Sequence, residues 1–125
     1  MSDIITPDVL FFFDGKPVEL ELYEYLAGQL LERCPSTAIK VQKTQISFYD
    51  KRMYACVSLA PVRRKAERPG HYITVTFGLA YPLEDPRALA VEVRPNHWTH
   101  HVIVGNTGEI DGQLLDWIEA SHDKR

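Results

Sequence analysis

The spacing of apolar residues changes from helical to alternating near Thr37, and that change constrains the fold more than any other feature. From Pro17 to Pro35 the apolar residues Tyr23, Leu26, Leu30, Leu31 and Cys34 recur at helical spacing. Beyond Thr37 the spacing becomes two. A 3.6-residue period lines one stripe of a helix and a period of two lines one face of a strand, so no single kind of element satisfies both halves. The chain must build helices first and a sheet afterwards. Proline punctuates the helical part. Thr6-Pro7 is a capping hydroxyl followed by a residue preset for the first helical turn, and Asp14-Gly15 ends what they begin. A helix from Pro7 to Phe13 would lay Val9, Phe12 and Phe13 on the core, and a longer one runs from Pro17 to Pro35 with Glu19, Glu21 and Glu24 toward its positive end.

The sheet region reads as a succession of short strands. Ile39 and Val41 share one parity and Ile46 and Phe48 the other, so Gln42 to Thr44 must hold a bulge or tight bend. Met53, Ala55, Val57 and Leu59 are again in phase. Setting Phe48 opposite Met53 closes a four-residue loop, Tyr49 to Arg52, and places Ile46 opposite Ala55 and Thr44 opposite Val57. Gln45, Ser47, Tyr54, Cys56 and Ser58 then fall on the other face. After a basic loop from Pro61 to Gly70, His71 to Leu79 is a strand with Ile73, Val75, Phe77 and Leu79 turned one way.

Asp85-Pro86 signals a helix start while Leu89, Val91 and Val93 alternate, and the expectation for residues 86–95 is a short helix followed by loop. Thr99 to Val104 is the last strand. Asn106 with Glu109 resembles a capping box before a helix whose stripe is Ile110, Leu114, Trp117 and Ile118. The expected fold is α+β: a meander-like antiparallel sheet of about four to five strands, covered by an N-terminal helix pair and a C-terminal helix. Residues 1–125 fit one domain, with 1–16 as an arm or short helix and 120–125 as a frayed tail.

Charge bears on partners rather than on fold. Arg33 to Arg68 holds nine of the fourteen basic residues and only Asp50 and Glu67, a local +7, while the remainder carries −10. Cys34 and Cys56 lie in apolar stretches without metal or redox spacing and read as reduced core thiols, which points to the cytoplasm. The apolar run Val9 to Phe13 is too short to span a membrane, and Asp3 and Asp8 precede it where a signal peptide carries positive charge.

Lys43-Thr-Gln-Ile-Ser-Phe48 followed by Arg52-Met-Tyr-Ala55, with Trp98-Thr-His-His-Val102 and the closing Asp111 to Trp117 segment, resembles domain of unknown function 5655. The resemblance runs from about the second helix to Trp117. It implies a small bacterial α+β domain, occurring alone or at the ends of longer proteins. Lys43, Gln45, Phe48, Trp98, His100 and His101 are its motif positions, and no catalytic residue comes with it.

The histidines are the most chemical-looking group. His97 and His101, four apart, would share a metal ion on a helix, but on a strand His100 and His101 point to opposite faces and only one can join His97. A metal-dependent enzyme centred on His97 and His100 is the runner-up reading. Cys56 or Ser58 beside a sheet histidine lacks a third member and an oxyanion hole, and the carboxylates at Glu84-Asp85, Glu109 with Asp111 and Asp116 with Glu119 sit where capping and solvation explain them. No phosphate loop or other cofactor motif is present. The favoured expectation is a non-enzymatic module binding an anionic or polar ligand through the sheet face and the adjoining basic loop, with Lys43, Gln45, Tyr54, Arg63 and Arg64 in contact. An acidic protein is the other candidate partner, and a short nucleic acid is less favoured because the ribonucleoprotein signature is missing.

Overall fold

Thr6 opens the first helix as the sequence predicts. Its Oγ1 accepts a hydrogen bond from Val9 N at 3.3 Å, and Pro7 occupies the first turn of α1, Pro7–Phe12. The second helix, α2, Pro17–Arg33, ends where Cys34 N donates to Leu30 O. In the computed structural model, which describes residues 4–123, six strands follow: β1 Ala38–Val41, β2 Gln45–Asp50, β3 Arg52–Ser58, β4 Ile73–Leu79, β5 Ala88–Arg94 and β6 His97–Val104. The last helix, α3, is Gly112–Asp123. The class is α+β with one antiparallel sheet in the order β1-β2-β3-β4-β6-β5.

The period-two pattern located the strands well and their register less well. Gln42 to Thr44 is a tight turn that pairs Val41 with Ile46 and Ile39 with Phe48, which puts all four on one face despite their opposite parities. In the next hairpin Phe48 faces Ala55 and Ile46 faces Val57, two residues away from the expected pairing. The chain reverses at Lys51 alone, in the left-handed region at φ 70°, and one extra residue on β3, Tyr54, is taken up where Tyr49 pairs with Met53. That bulge turns Tyr54 inward. Tyr54 does not join Gln45 and Ser47 on the outer face, because successive residues of a bulge no longer alternate. It lies 2% exposed between Phe48 and His122, with its hydroxyl 2.7 Å from that of Thr37.

Residues 86–95 hold the strand Ala88–Arg94 between two turns, not a helix followed by loop. Asp85 forms a turn, with Oδ1 accepting from Arg87 N and its carbonyl from Ala88 N, so the Asp-Pro signal belongs to the turn before β5. β5 then alternates, and it has no helical apolar stripe. The frayed tail fails as well for residues 120–123, which are helical, with Ser121 1% exposed; residues 124 and 125 lie outside the described residues, as do 1–3 of the N-terminal arm. The capping pair is re-dealt. Glu109 accepts from Gly105 N rather than from Asn106, and Asp111 caps α3 by accepting from Leu114 N at 2.9 Å.

The helices pack on one face of the sheet. Val9, Leu22, Tyr23, Leu26, Leu114 and Ile118 meet Ile46, Phe48, Val57, Val75, Phe77 and Val102 in one core cluster. Since β6 lies between β4 and β5, the connection from Leu79 to Ala88 has to cross β6. It does so on the helix side, held by His100, whose Nε2 accepts from Leu83 N at 3.0 Å. His100 is also stacked on Phe77 at 5.3 Å, Phe77 on Trp117 at 6.4 Å, and the Arg87 guanidinium lies 5.0 Å over Trp117. No helix among the described residues is long and apolar enough to cross a membrane.

At the far end of the sheet β3 and β4 separate after Ala55 pairs with Phe77. The hydroxyl of Ser121 enters the gap, accepting from Gly78 N at 3.2 Å and donating to Tyr54 O at 2.7 Å. Arg52 donates to Ser121 O, and His122 donates from its two ring nitrogens to Asp50 and Asp123 at 2.6 and 2.8 Å. Asp50 and Arg52 therefore fasten α3 to the sheet. Replacing Ser121 by Ala leaves a buried amide and carbonyl without partners, and the expected loss is about 1–3 kcal/mol, read as a lower urea midpoint at unchanged slope. The Asp50 and Asp123 carboxylates raise the His122 pKa above the ordinary 6.5. Its stabilisation is thus complete below that value and is lost as pH rises through the raised one. The stability gap between the wild type and His122→Asn should close as pH rises from about 6.5 through the raised value, and a gap that widens with rising pH contradicts the assignment.

Candidate functional site

With the helices on one side, the other face of the sheet has no helix over it among the described residues. Its polar centre bonds largely to itself. Ser47 Oγ donates to Gln42 Oε1 at 2.7 Å, Gln45 Nε2 donates to Ser47 and Met53, and Thr74 Oγ1 donates to Ala60 O at 2.6 Å. Thr76 and the His101 ring nitrogen share a 2.9 Å bond. Burial lowers the His101 pKa and pushes the Cys56 thiol up, so neither is charged at neutral pH. A face whose hydroxyls and amides satisfy one another offers few groups to a ligand.

The unspent groups lie at one end of the sheet. Leaving β3, the 61–70 segment crosses that end past β4 and β6 toward the start of β5. Two contacts place it. Arg63 Nη2 donates to Pro86 O at 2.8 Å, and Pro69 presses on Gly105, where a Cβ would come within 2.8 Å of the proline ring. Gly105 must stay a glycine for the loop to lie there. Between loop and sheet is a hollow of about 510 Å³ with Ile103 and Gly105 at its base and Arg63, Glu67, Arg87, Asn106 and Glu109 around it.

Its charges are nearly matched. Arg87 is tied to Asp111 at 2.8 Å and to the Glu109 carbonyl, Glu67 to Arg64 at 3.2 Å, and Glu109 to Gly105 N at 2.6 Å. The Arg87 guanidinium and the Leu114 amide together hold the Asp111 carboxyl below the usual carboxylate range. Arg63 is the exception. It forms no ion pair among the described residues, and its one hydrogen bond, to a carbonyl, fixes the guanidinium without neutralising it.

The residues singled out from the sequence are therefore dispersed. Arg63 is at the hollow. Arg64 has its side chain 88% exposed and points back to Glu67, while Arg68 spends Nη1 on the Tyr72 hydroxyl and lies over that ring. Lys43 is exposed in the β1–β2 turn and lines a different hollow, Gln45 belongs to the self-bonded centre, and Tyr54 is on the opposite side of the sheet. The sheet face and the basic loop thus do not bring these five residues together at one site.

Among the motif positions Phe48 is fully buried, Trp98 is half-buried opposite Leu79, and His100 and His101 point to opposite faces. Burial lowers the His100 pKa, partly opposed by the Trp98 backbone, and Nδ1 has no hydrogen bond of proper geometry. Strand alternation puts His97 across the sheet from His100, so the pair that a metal-dependent enzyme would need does not converge. No group of three or more His, Cys, Asp or Glu among the described residues is placed to hold a metal. Two of the carboxylate pairs have structural partners: Asp116 and Glu119 both accept from Arg33, at 2.7 and 3.1 Å, and Glu109 and Asp111 accept from Gly105 N and Leu114 N.

Sequence reasoning missed Pro86, Arg87, Gly105 and Asn106. The signal was available only for Gly105, a glycine directly after a strand, which suggests close approach of another backbone. Arg87 was hidden because its segment was read as helix. No curated protein and no solved structure matches the chain. The family described as Domain of unknown function (DUF5655) matches residues 11–125. That match covers all six strands, α2, α3 and the hollow's whole lining, and the chain belongs to the DUF5655 family.

Proposed function

We propose that the chain is a non-catalytic binding module that takes a small polar ligand with one anionic group in the hollow between the 61–70 loop and the end of β6. The supporting observation is Arg63, an un-neutralised guanidinium held in place across the mouth by the Pro86 carbonyl. A guanidinium has five N–H donors, and one fixed by a single carbonyl keeps a fork for a carboxylate or phosphate without ordering itself at binding. A hollow of about 510 Å³ suits a small molecule. The matched charges around it argue for a ligand with a single anionic group over a polyanion, because Glu67 and Glu109 would repel a run of phosphates. The apolar base at Ile103 takes the ligand's uncharged part, and the Asn106 amide is a polar group of its rim. Both cysteines are free and buried, which suits a reducing, cytoplasmic setting.

One observation favours a second reading, docking of the open face on another protein. Leu89, Val91 and Val93 of the edge strand β5 are 36%, 44% and 62% exposed. An exposed apolar edge strand is a common site of strand addition.

A thermal-shift screen against inorganic phosphate, small carboxylates, mononucleotides and short oligonucleotides separates these. The module reading expects stabilisation by a small anion, about 2.7 kcal/mol at a hundred times its dissociation constant, reduced by salt and lost in Arg63→Ala. A small-anion shift that survives Arg63→Ala unchanged, or no shift with any of them, removes the proposal. The latter result leaves the β5 edge as the better candidate.

A further inference from the structure

A second hollow, of about 620 Å³, lies between α1 and the β1–β2 turn, away from Arg63. Its wall is apolar: Phe11, Phe12, Val41 and Leu59. Phe11 is 84% exposed, the most exposed large apolar side chain among the described residues. A phenylalanine standing in water beside a concave apolar wall is surface that a ligand can cover. Beside Gln42, Thr44 and Ala60 the lining holds two charges, Asp8 from α1 and Lys43 from the turn. Both side chains are exposed, and among the described residues neither forms an ion pair, with the other or with any third group. An ammonium and a carboxylate that leave each other unpaired across an apolar wall form a complementary frame for a molecule carrying both opposite charges.

We propose that this hollow binds a zwitterion with an apolar body, its carboxylate on Lys43, its ammonium on Asp8 and its hydrocarbon part on Phe11, Phe12, Val41 and Leu59. Two sources share that chemistry, a free apolar amino acid and a short apolar peptide with both ends free. The site is independent of the one at Arg63, since the two hollows have no lining residue in common. Each charge contact is exposed and therefore contributes little, so binding is weak and rests on covering Phe11, while the charges select.

The test is a titration of the full chain followed by amide chemical shifts, with leucine, phenylalanine and the dipeptide of two leucines, each to about 20 mM, a range that reaches millimolar dissociation constants. Expected are shifts confined to Asp8–Phe12, Val41–Thr44 and Leu59–Ala60, unchanged by Arg63→Ala. Lys43→Ala and Asp8→Ala should each weaken binding by about three- to fivefold. Phe11→Ser should abolish it while leaving the remaining spectrum intact, since that side chain stands outside the core. Amidating the ligand's carboxylate should remove the effect of Lys43→Ala, and acetylating its amine the effect of Asp8→Ala. Saturation by the amino acids identifies free amino acids as the source, and saturation by the dipeptide alone identifies a peptide. Absence of localised shifts at the highest concentration, or equal binding of the doubly blocked ligand, overturns the proposal.

Discussion

One extra residue in a strand governs much of this structure. By taking up Tyr54 as a bulge, β3 brings an aromatic ring into the core that strict alternation would place outside, and it stops running in register with β4 after Ala55. Two main-chain groups, Tyr54 O and Gly78 N, then have no strand opposite them. A hydroxyl can accept and donate at once, and Ser121 answers both. The C-terminal turn of α3 is thereby stitched to the sheet at its point of separation, and Asp50, Arg52 and His122 close around it. Burial pushes the Tyr54 hydroxyl up to about 12 and raises the Cys34 thiol beside it, so neither adds a charge to a corner that already holds Asp50, Arg52 and His122.

At the other side of the core, order in the sheet imposes a different demand. Inserting β6 between β4 and β5 obliges a loop to pass over a completed strand, where its backbone amides must find partners away from water. His100 supplies one, which fixes Nδ1 as its protonated nitrogen and leaves that N–H poorly served. The stack from His100 through Phe77 and Trp117 to Arg87 continues to Asp111, the cap of α3. The crossing loop and the last helix are thus held by a single column of side chains. His100, held neutral by burial, favours high pH, whereas His122 favours low pH, so the two ends of the core respond to acid in opposite senses.

The helices and most strands were legible because their signals are local: Thr6-Pro7, Pro17 and the alternation from Ile73 to Leu79 each specify an element within a few residues. The register of the second hairpin was not, since slipping Phe48 from Met53 to Ala55 keeps the same faces buried and leaves the hydrophobic pattern unchanged. Only the backbone at Lys51 and the bulge at Tyr54 distinguish the two. The β5 segment reads as helix because Asp85-Pro86 serves a turn before a strand as well as a helix cap, and that signal is set above the alternation of Leu89, Val91 and Val93. Of the candidate contacts, Arg63 is at a hollow and Lys43 at another. Their separation depends on the path of the 61–70 loop, which is set by contacts remote in sequence, Arg63 with Pro86 and Pro69 with Gly105.

The contact between Pro69 and Gly105 has a consequence for how this scaffold can vary. Together with the Arg63–Pro86 bond it pins both ends of the loop, while residues 64–67 between them are exposed and hold no part of the core. The backbone frame of the hollow is thus independent of the identity of those four residues, of which Glu67 alone lines it. A chain with this fold can exchange them, and so retune the charge presented to a ligand, without disturbing the structure that carries them. Substituting Gly105 would do the reverse, keeping every charge and losing the place where they are presented.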